Sequence, residues 1–249
     1  MHPIAHAASR PDHPAVIMAG SGETITYGEM EKNANRFARL LRSRGMGPSD
    51  KGGDAFAVLL ENRSEFYTLV WGSQRVGTML VPVSTRLTGP EISYILKDSE
   101  TKILITSTMF ADVLGPIRAE CPDLEILILD SGEADDFAAE LARHSDAPVD
   151  NQHAGQTMLY SSGTTGRPKG VKPAPPEANA PQAAVPLMGL ATMGVGWPAD
   201  GTMVYLSPAP LYHAAPLGWS SVVHRLGGTV VVMEKFDPEE ALKAIDTYK

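Results

Sequence analysis

A single cysteine, Cys121, sits in a chain of 249 residues. No internal disulfide can form, and a cysteine-rich metal site is excluded. Cys121 lies between Glu120 and Pro122 and reads as a structural thiol at a helix end. Long hydrophobic runs are missing too. No stretch approaches the roughly 18 consecutive apolar residues of a membrane span. Met1–Arg10 lacks the apolar core of a signal peptide, so the expected compartment is the cytoplasm. Positive charge is scarce: Lys and Arg total 21 against 29 Asp and Glu, and no basic patch stands out. Nonspecific binding to nucleic acid is therefore not expected. His2, His6, His13, His144, His153 and His224 show no metal-ligand spacing, and the sequence offers no protein-built metal site.

What is present suits one large domain or two small ones. Hydrophobic residues make up 43% and charged residues 20%, enough for a sizeable core. Asn33, Phe37, Leu40 and Leu41 recur at helical spacing between Glu29 and Arg44, and Gly45 and Gly47 stop that helix. The run Ala55–Leu60 is continuously apolar, as a buried parallel strand requires. Further helices are expected near 64–75, 90–97, 111–118 and 135–143. Strands are expected at 79–83, 102–106 and 124–129. Strands alternating with helices predict an α/β fold of layered, largely parallel sheets flanked by helices. The polar stretch His144–His153 reads as a linker, a place where two subdomains could divide near 144–155.

The most informative segment runs from Tyr160 to Val171. Ser161, Ser162, Thr164 and Thr165 carry four hydroxyls, Gly163, Gly166 and Gly170 supply three glycines, and Lys169 adds a positive charge. Met158-Leu159 leads in as a strand end. Glycines let backbone N–H groups approach an anion closely, and successive N–H groups form an anion-binding nest. The segment reads as a loop that wraps phosphates. It is not the G-x-x-x-x-G-K-[ST] loop: Pro168 precedes the lysine and Gly170 follows it, so the usual Mg²⁺ hydroxyl is missing. The G-x-G-x-x-G fingerprint fails as well, because Thr165 stands two residues after Gly163.

This run resembles the phosphate-binding signature of the adenylate-forming superfamily: acyl-CoA synthetases, luciferases and peptide-synthetase adenylation domains. Other segments are similar to the same family, namely Thr26–Met30 through Arg44–Pro48, Leu59–Phe66, Arg75–Val83 and Leu206–His213. The last of these leans toward acyl- and aryl-CoA ligases. The resemblance implies two half-reactions. A carboxylate attacks the α-phosphorus of ATP to give an acyl-adenylate and pyrophosphate, and the coenzyme A thiol then displaces AMP. It implies that Ser161, Ser162, Gly163, Thr164, Thr165, Gly166 and Gly170 hold the β- and γ-phosphates with Mg²⁺ bridging them. Lys169 would stabilise the pyrophosphate end. His213 would face the substrate carboxylate, with Tyr212 beside it.

His213 lies in a proline-punctuated turn between a strand and a helix, the kind of turn that borders ligand crevices in α/β sheets. On the helix that follows, Trp219, Val222, Val223 and Leu226 share one face, with Trp219 a candidate for the acyl pocket. Met188, Met193 and Trp197 are further candidates for that apolar cavity. A surface turn and an ordinary Met/aromatic core are the competing readings.

The sequence departs from the family pattern in three places. Lys172–Pro181 is proline-rich where relatives run toward a helix, so the next helix is expected to start late, from about Gln182 toward Met193. Lys51-Gly52-Gly53-Asp54 suggests a longer turn before the first buried strand. Beyond Phe236–Ile245, read as an Asp237-capped helix, the sequence lacks the family's Mg²⁺ glutamate, ribose aspartate, hinge and small C-terminal domain with its catalytic lysine. The resemblance therefore implies a partial N-terminal domain that does not complete the reaction alone. Apolar surface left uncovered could support a homo-oligomer. A noncatalytic nucleotide- or acyl-binding module, and an adenylating enzyme with an acceptor other than coenzyme A, remain alternatives. The acid substrate and its chain length are not legible.

Overall fold

The computed structural model describes residues 2–133, 136–161, 168–174 and 185–249. In chain order the elements open with α1 (Pro3–Ser9), β1 (Pro14–Met18), β2 (Thr24–Thr26), α2 (Tyr27–Ser43), β3 (Ala55–Leu59), α3 (Glu65–Val76) and β4 (Met79–Pro82). They continue with α4 (Gly89–Asp98), β5 (Ile103–Ser107), α5 (Ala111–Glu120), β6 (Glu125–Leu129), α6 (Phe137–Ala142), β7 (Gln156–Thr157), β8 (Leu159–Ser161) and β9 (Lys169–Val171). The last are α7 (Pro186–Gly189), β10 (Val204–Ser207), α8 (Ala214–Leu226), β11 (Thr229–Val232) and α9 (Pro238–Tyr248). The chain divides into two compact units. One comprises Met1–Asn33, Asn62–Thr68 and Gln182–Lys249; the other comprises Ala34–Glu61 and Leu69–Pro181. Residues 144–155 lie within the second.

The second unit is built on a five-stranded, wholly parallel sheet in the order β6-β5-β3-β4-β7. The β3 run Ala55–Leu59 is buried along its whole length, as expected of a strand covered on both faces. Leu59, Val81, Leu104 and Ile128 of the strands pack with Ile92, Ile95 and Leu96 of α4 and Leu114 and Ile117 of α5. Local chemistry sets the ends of these helices. Glu91 accepts the Thr88 N–H at 2.8 Å at the start of α4, and Asp136 accepts the Ala139 N–H at 2.9 Å at the start of α6. Cys121 caps the end of α5, half-buried.

The stretch read as a linker is tied to α2. Arg39 of α2 donates to the carbonyls of Ser145, Ala147 and Pro148, and Arg42 donates to those of Asp150 and Asn151. Arg36 pairs with Asp146 at 3.2 Å. Residues 36, 39 and 42 recur every three positions on the polar side of a helix whose other face buries Phe37, Leu40 and Leu41.

The first unit has a four-stranded sheet in the order β10-β11-β1-β2, parallel except for the β1–β2 hairpin. α8 makes the crossover from β10 to β11 and ends at Gly227, whose φ of +84° is the left-handed cap glycine permits. Asp237 accepts the N–H groups of Glu239 and Glu240 at the start of α9, with Pro238 in the first turn. The helix expected from about Gln182 starts later. Val185 is extended (φ −105°, ψ 142°), and α7 begins at Pro186, whose fixed φ suits a first helical position. It passes into a π-helical turn over Leu190–Gly194. Gln182 itself lies outside the described residues.

Among the described residues, no helix is long and apolar enough to cross a membrane.

Candidate functional site

Two features carry the residues singled out by sequence, one in each unit. The first is a two-stranded antiparallel ribbon, β8–β9, in the second unit. The backbone leaves edge strand β7, and the Met158 N–H donates to the Leu80 carbonyl at 2.9 Å. The ribbon then pairs Leu159 with Val171, Tyr160 with Gly170 and Ser161 with Lys169. Ser161 and Lys169 thus face each other across the last described rung, both exposed to solvent. The Ser161 hydroxyl reaches the Lys169 carbonyl at 3.5 Å. Ser162, Gly163, Thr164, Thr165 and Gly166 lie outside the described residues.

The ribbon's inner side explains the glycine at position 170. A Cβ there would fall 2.3 Å from the methyl of Met158 and 2.9 Å from the ring of Tyr160. No side chain fits without displacing both. Tyr160 packs against the core of the five-stranded sheet, and its hydroxyl donates to Asp98 at the end of α4, 2.6 Å away. Burial, and then the neighbouring carboxylate, push the phenol well above its ordinary range. It stays protonated and can donate at any physiological pH.

The second feature is the turn between β10 and α8 in the first unit. Asn62 organises it. This side chain is 8% exposed; its amide donates to the carbonyls of Ala209 (3.1 Å) and Met233 (2.8 Å), and its oxygen accepts the Leu211 N–H (2.8 Å). Three backbone groups that would otherwise be stranded are thereby satisfied. Tyr212 is buried by this arrangement, while His213 is exposed at the N-terminus of α8 with its ring 4.4 Å from that of Tyr212. The His213 carbonyl accepts the first α8 bond, from Leu217, at 3.2 Å. No sequence motif marked Asn62 as the residue that sets this turn. The available signal was an amide side chain following the apolar run Leu59-Leu60.

Trp219 meets Trp197 at 5.0 Å between ring centroids, and Trp197 meets Tyr205 at 5.5 Å. With Leu187, Met188, Ala191, Val222 and Leu226, the two tryptophans form one small apolar cluster. Met193 does not join it. It is 86% exposed, on the π-helical turn Leu190–Gly194.

A third cluster was not anticipated. His6, His13 and His224 surround Tyr27 in the first unit, with ring centroids 5.5, 6.0 and 6.1 Å from it. The Tyr27 hydroxyl donates to the Gly228 carbonyl at 2.7 Å, and the His224 ring bonds the Ala15 carbonyl at 3.0 Å. Burial lowers all three histidines, His224 to about 4. This is a neutral, packed core. Among the described residues, no group of three or more His, Cys, Asp or Glu side chains could hold a metal ion.

The family model for AMP-binding enzymes matches residues 4–249. This chain belongs to that family. It is 35% identical to a fatty acid–[acyl-carrier-protein] ligase of Streptomyces coeruleorubidus, over 96% of this chain and 44% of the relative. It is 30% identical to the long-chain-fatty-acid–CoA ligase FadD13 of Mycobacterium tuberculosis, over 93% of this chain and 44% of that protein. The inhibitor-bound crystal structure of the N-terminal domain of FACL13 from M. tuberculosis superimposes with a TM-score of 0.76 at 27% identity, covering 98% of this chain and 58% of that one. This member of the AMP-binding enzyme family therefore has the acyl-CoA synthetase fold and spans less than half the length of these curated relatives. Its relatives are adenylate-forming ligases.

Proposed function

We propose that the chain is the N-terminal part of an ATP-dependent ligase that activates a fatty or aryl carboxylic acid as an acyl-adenylate and transfers it to coenzyme A. One observation carries the reading: the β8–β9 ribbon, which brings Ser161 opposite Lys169 at the two ends of the signature segment. A ribbon held at its base is a suitable mount for a Gly/Ser/Thr-rich segment that binds phosphate oxygens. Ser161, Ser162, Thr164, Thr165 and the N–H groups of Gly163, Gly166 and Gly170 would hold the β- and γ-phosphates, and the Lys169 ammonium would offset charge as pyrophosphate leaves. Mg²⁺, held mainly by phosphate oxygens, would neutralise charge on the triphosphate. The exposed imidazole of His213 would face the acid's carboxylate, and Tyr212 and Trp219 would line the acyl side. Completing the thioester step would require the rest of an adenylating enzyme, including its smaller C-terminal domain. The exposed side chains of Phe236, Leu242 and Ile245 support self-association of the isolated chain, which sedimentation across a concentration series would test.

A second acceptor is favoured by the relative at 35% identity, which is by name a ligase for acyl-carrier protein. The discriminating assay follows pyrophosphate release with ATP, Mg²⁺ and a panel of fatty and aryl acids, followed by addition of coenzyme A or a carrier protein. It is run on this chain alone and on this chain joined to the C-terminal part of a relative. Acid-dependent release supports adenylation, and the acceptor that discharges the adenylate settles the second half. ATP binding with no release under any condition would instead support a noncatalytic binding module.

A further inference from the structure

The signature residues sit on a ribbon of only three rungs, and three rungs do not hold a hairpin rigid in water. Beyond the Met158 bond at its base, an aromatic side chain ties the ribbon to the rest of the unit. Tyr160, the middle residue of β8, pairs with Gly170, the neighbour of Lys169. Its ring occupies the space that a side chain at position 170 would need. Its hydroxyl reaches past the ribbon to the Asp98 carboxylate at the C-terminus of α4, 2.6 Å away. α4 is anchored by Ile92, Ile95 and Leu96 in the sheet core. The chain of contact therefore runs from the core through α4 and Tyr160 to Gly170 and Lys169, all within one unit.

The geometry points to Tyr160 and Asp98 as positioning residues for triphosphate binding: their hydrogen bond sets where the Lys169 strand lies and so where the Lys169 charge is presented. This rests on the ATP-dependent reading above. The bond is of the charge-assisted type, shorter and stronger than a neutral one, so its loss should be felt without loss of packing. Phenylalanine at 160 keeps the ring over Gly170 and removes only the hydroxyl. Asparagine at 98 keeps a side-chain oxygen able to accept it.

The test is ATP·Mg²⁺ affinity of the whole chain, measured by titration calorimetry. The series is wild type, Tyr160→Phe, Asp98→Ala, the double variant, Asp98→Asn and Lys169→Ala. Thermal midpoints check that each variant is folded. The expected result is a loss of about fivefold to tenfold in Tyr160→Phe and in Asp98→Ala, no further loss in the double variant, and recovery in Asp98→Asn. A merely structural contact would lower thermal midpoints but would not give this pattern of non-additivity and rescue in affinity. Unchanged affinity in Tyr160→Phe, alongside weakened binding in Lys169→Ala, overturns the positioning role and leaves the ATP reading standing. No ATP binding by the folded wild type overturns both.

Discussion

Residues that satisfy backbone groups or occupy tight space carry more of this structure than their type suggests. Asn62 is the clearest case. Replacing it with alanine removes an acceptor from Leu211 and two donors, to Ala209 and Met233, in a site that water barely reaches. The expected cost is about 3 kcal/mol, read as a drop in the urea midpoint, with the β10–α8 turn losing its shape. Any ligand contact made by His213 should weaken in the same variant. Gly53 makes a second case. Its φ is +109°, and a Cβ would stand 2.1 Å from the Gly77 carbonyl. Gly53→Ala should destabilise by roughly 2–4 kcal/mol, whereas Gly45→Ala, equally left-handed but open to solvent, should cost less. A urea-midpoint difference of the opposite order would refute that assignment. Lys169→Ala differs from both. It removes an exposed charge, so on the proposed reading adenylate formation should fall while the thermal midpoint stays put; equal activity would remove Lys169 from the proposed mechanism.

At the scale of elements, apolar periodicity located the helices and strands of the second unit to within a few residues. A buried parallel sheet writes its pattern directly into sequence: Ala55–Leu59 and Ile126–Leu129 are short apolar runs bounded by polar turns. β1 and β11 are short apolar runs too, but what the sequence does not show is that they pair. Pro14–Met18 and Thr229–Val232 become strands because they pair with each other across some two hundred residues of sequence, and no local signal specifies that partner. The strap over 145–151 was illegible for a related reason. Its strength lies in backbone carbonyls of a polar loop, and carbonyls are present in every loop. Only the spacing of Arg36, Arg39 and Arg42 hinted at it. Arg39→Ala should leave the urea midpoint nearly unchanged, since these contacts are solvent-exposed, yet raise amide exchange across residues 145–151. Exchange that stays as slow as in the wild type would mean the strap does not hold the loop. The signature segment was legible as a family motif, because its residue types and order are specific; the roles of its residues are proposals. Tyr160 and Asp98 were not legible, being sixty-two positions apart and joined only by the fold.

For the whole molecule, the histidine cluster around Tyr27 ties stability to pH. His224 is held neutral at about 4 by burial, although its bond to the Ala15 carbonyl partly opposes the shift. His6 and His13 are lowered by burial first and by the nearby Arg10 charge second, again against hydrogen bonds to backbone. The unfolded chain protonates each near 6.5, whereas the folded chain resists. As pH falls the unfolded state therefore binds more protons, and stability declines in step. The contribution is fully present above about pH 6.5 and is lost progressively toward pH 4. For His224 alone the two pKa values are worth about 3 kcal/mol across that window. Glu29 and Glu234 are held below the ordinary carboxylate range, Glu29 by hydrogen bonds from Thr26 and Glu234 by backbone hydrogen bonds that outweigh its burial. They act in the same direction at lower pH, so the diagnostic interval is pH 7 to 5. His224→Gln keeps an amide donor for Ala15 and cannot titrate. The variant should be less stable than the wild type at pH 7, where packing is lost, and should show a flatter fall in thermal midpoint between pH 7 and 5. Parallel curves for the two proteins would mean that the buried histidine is not the group that senses acid.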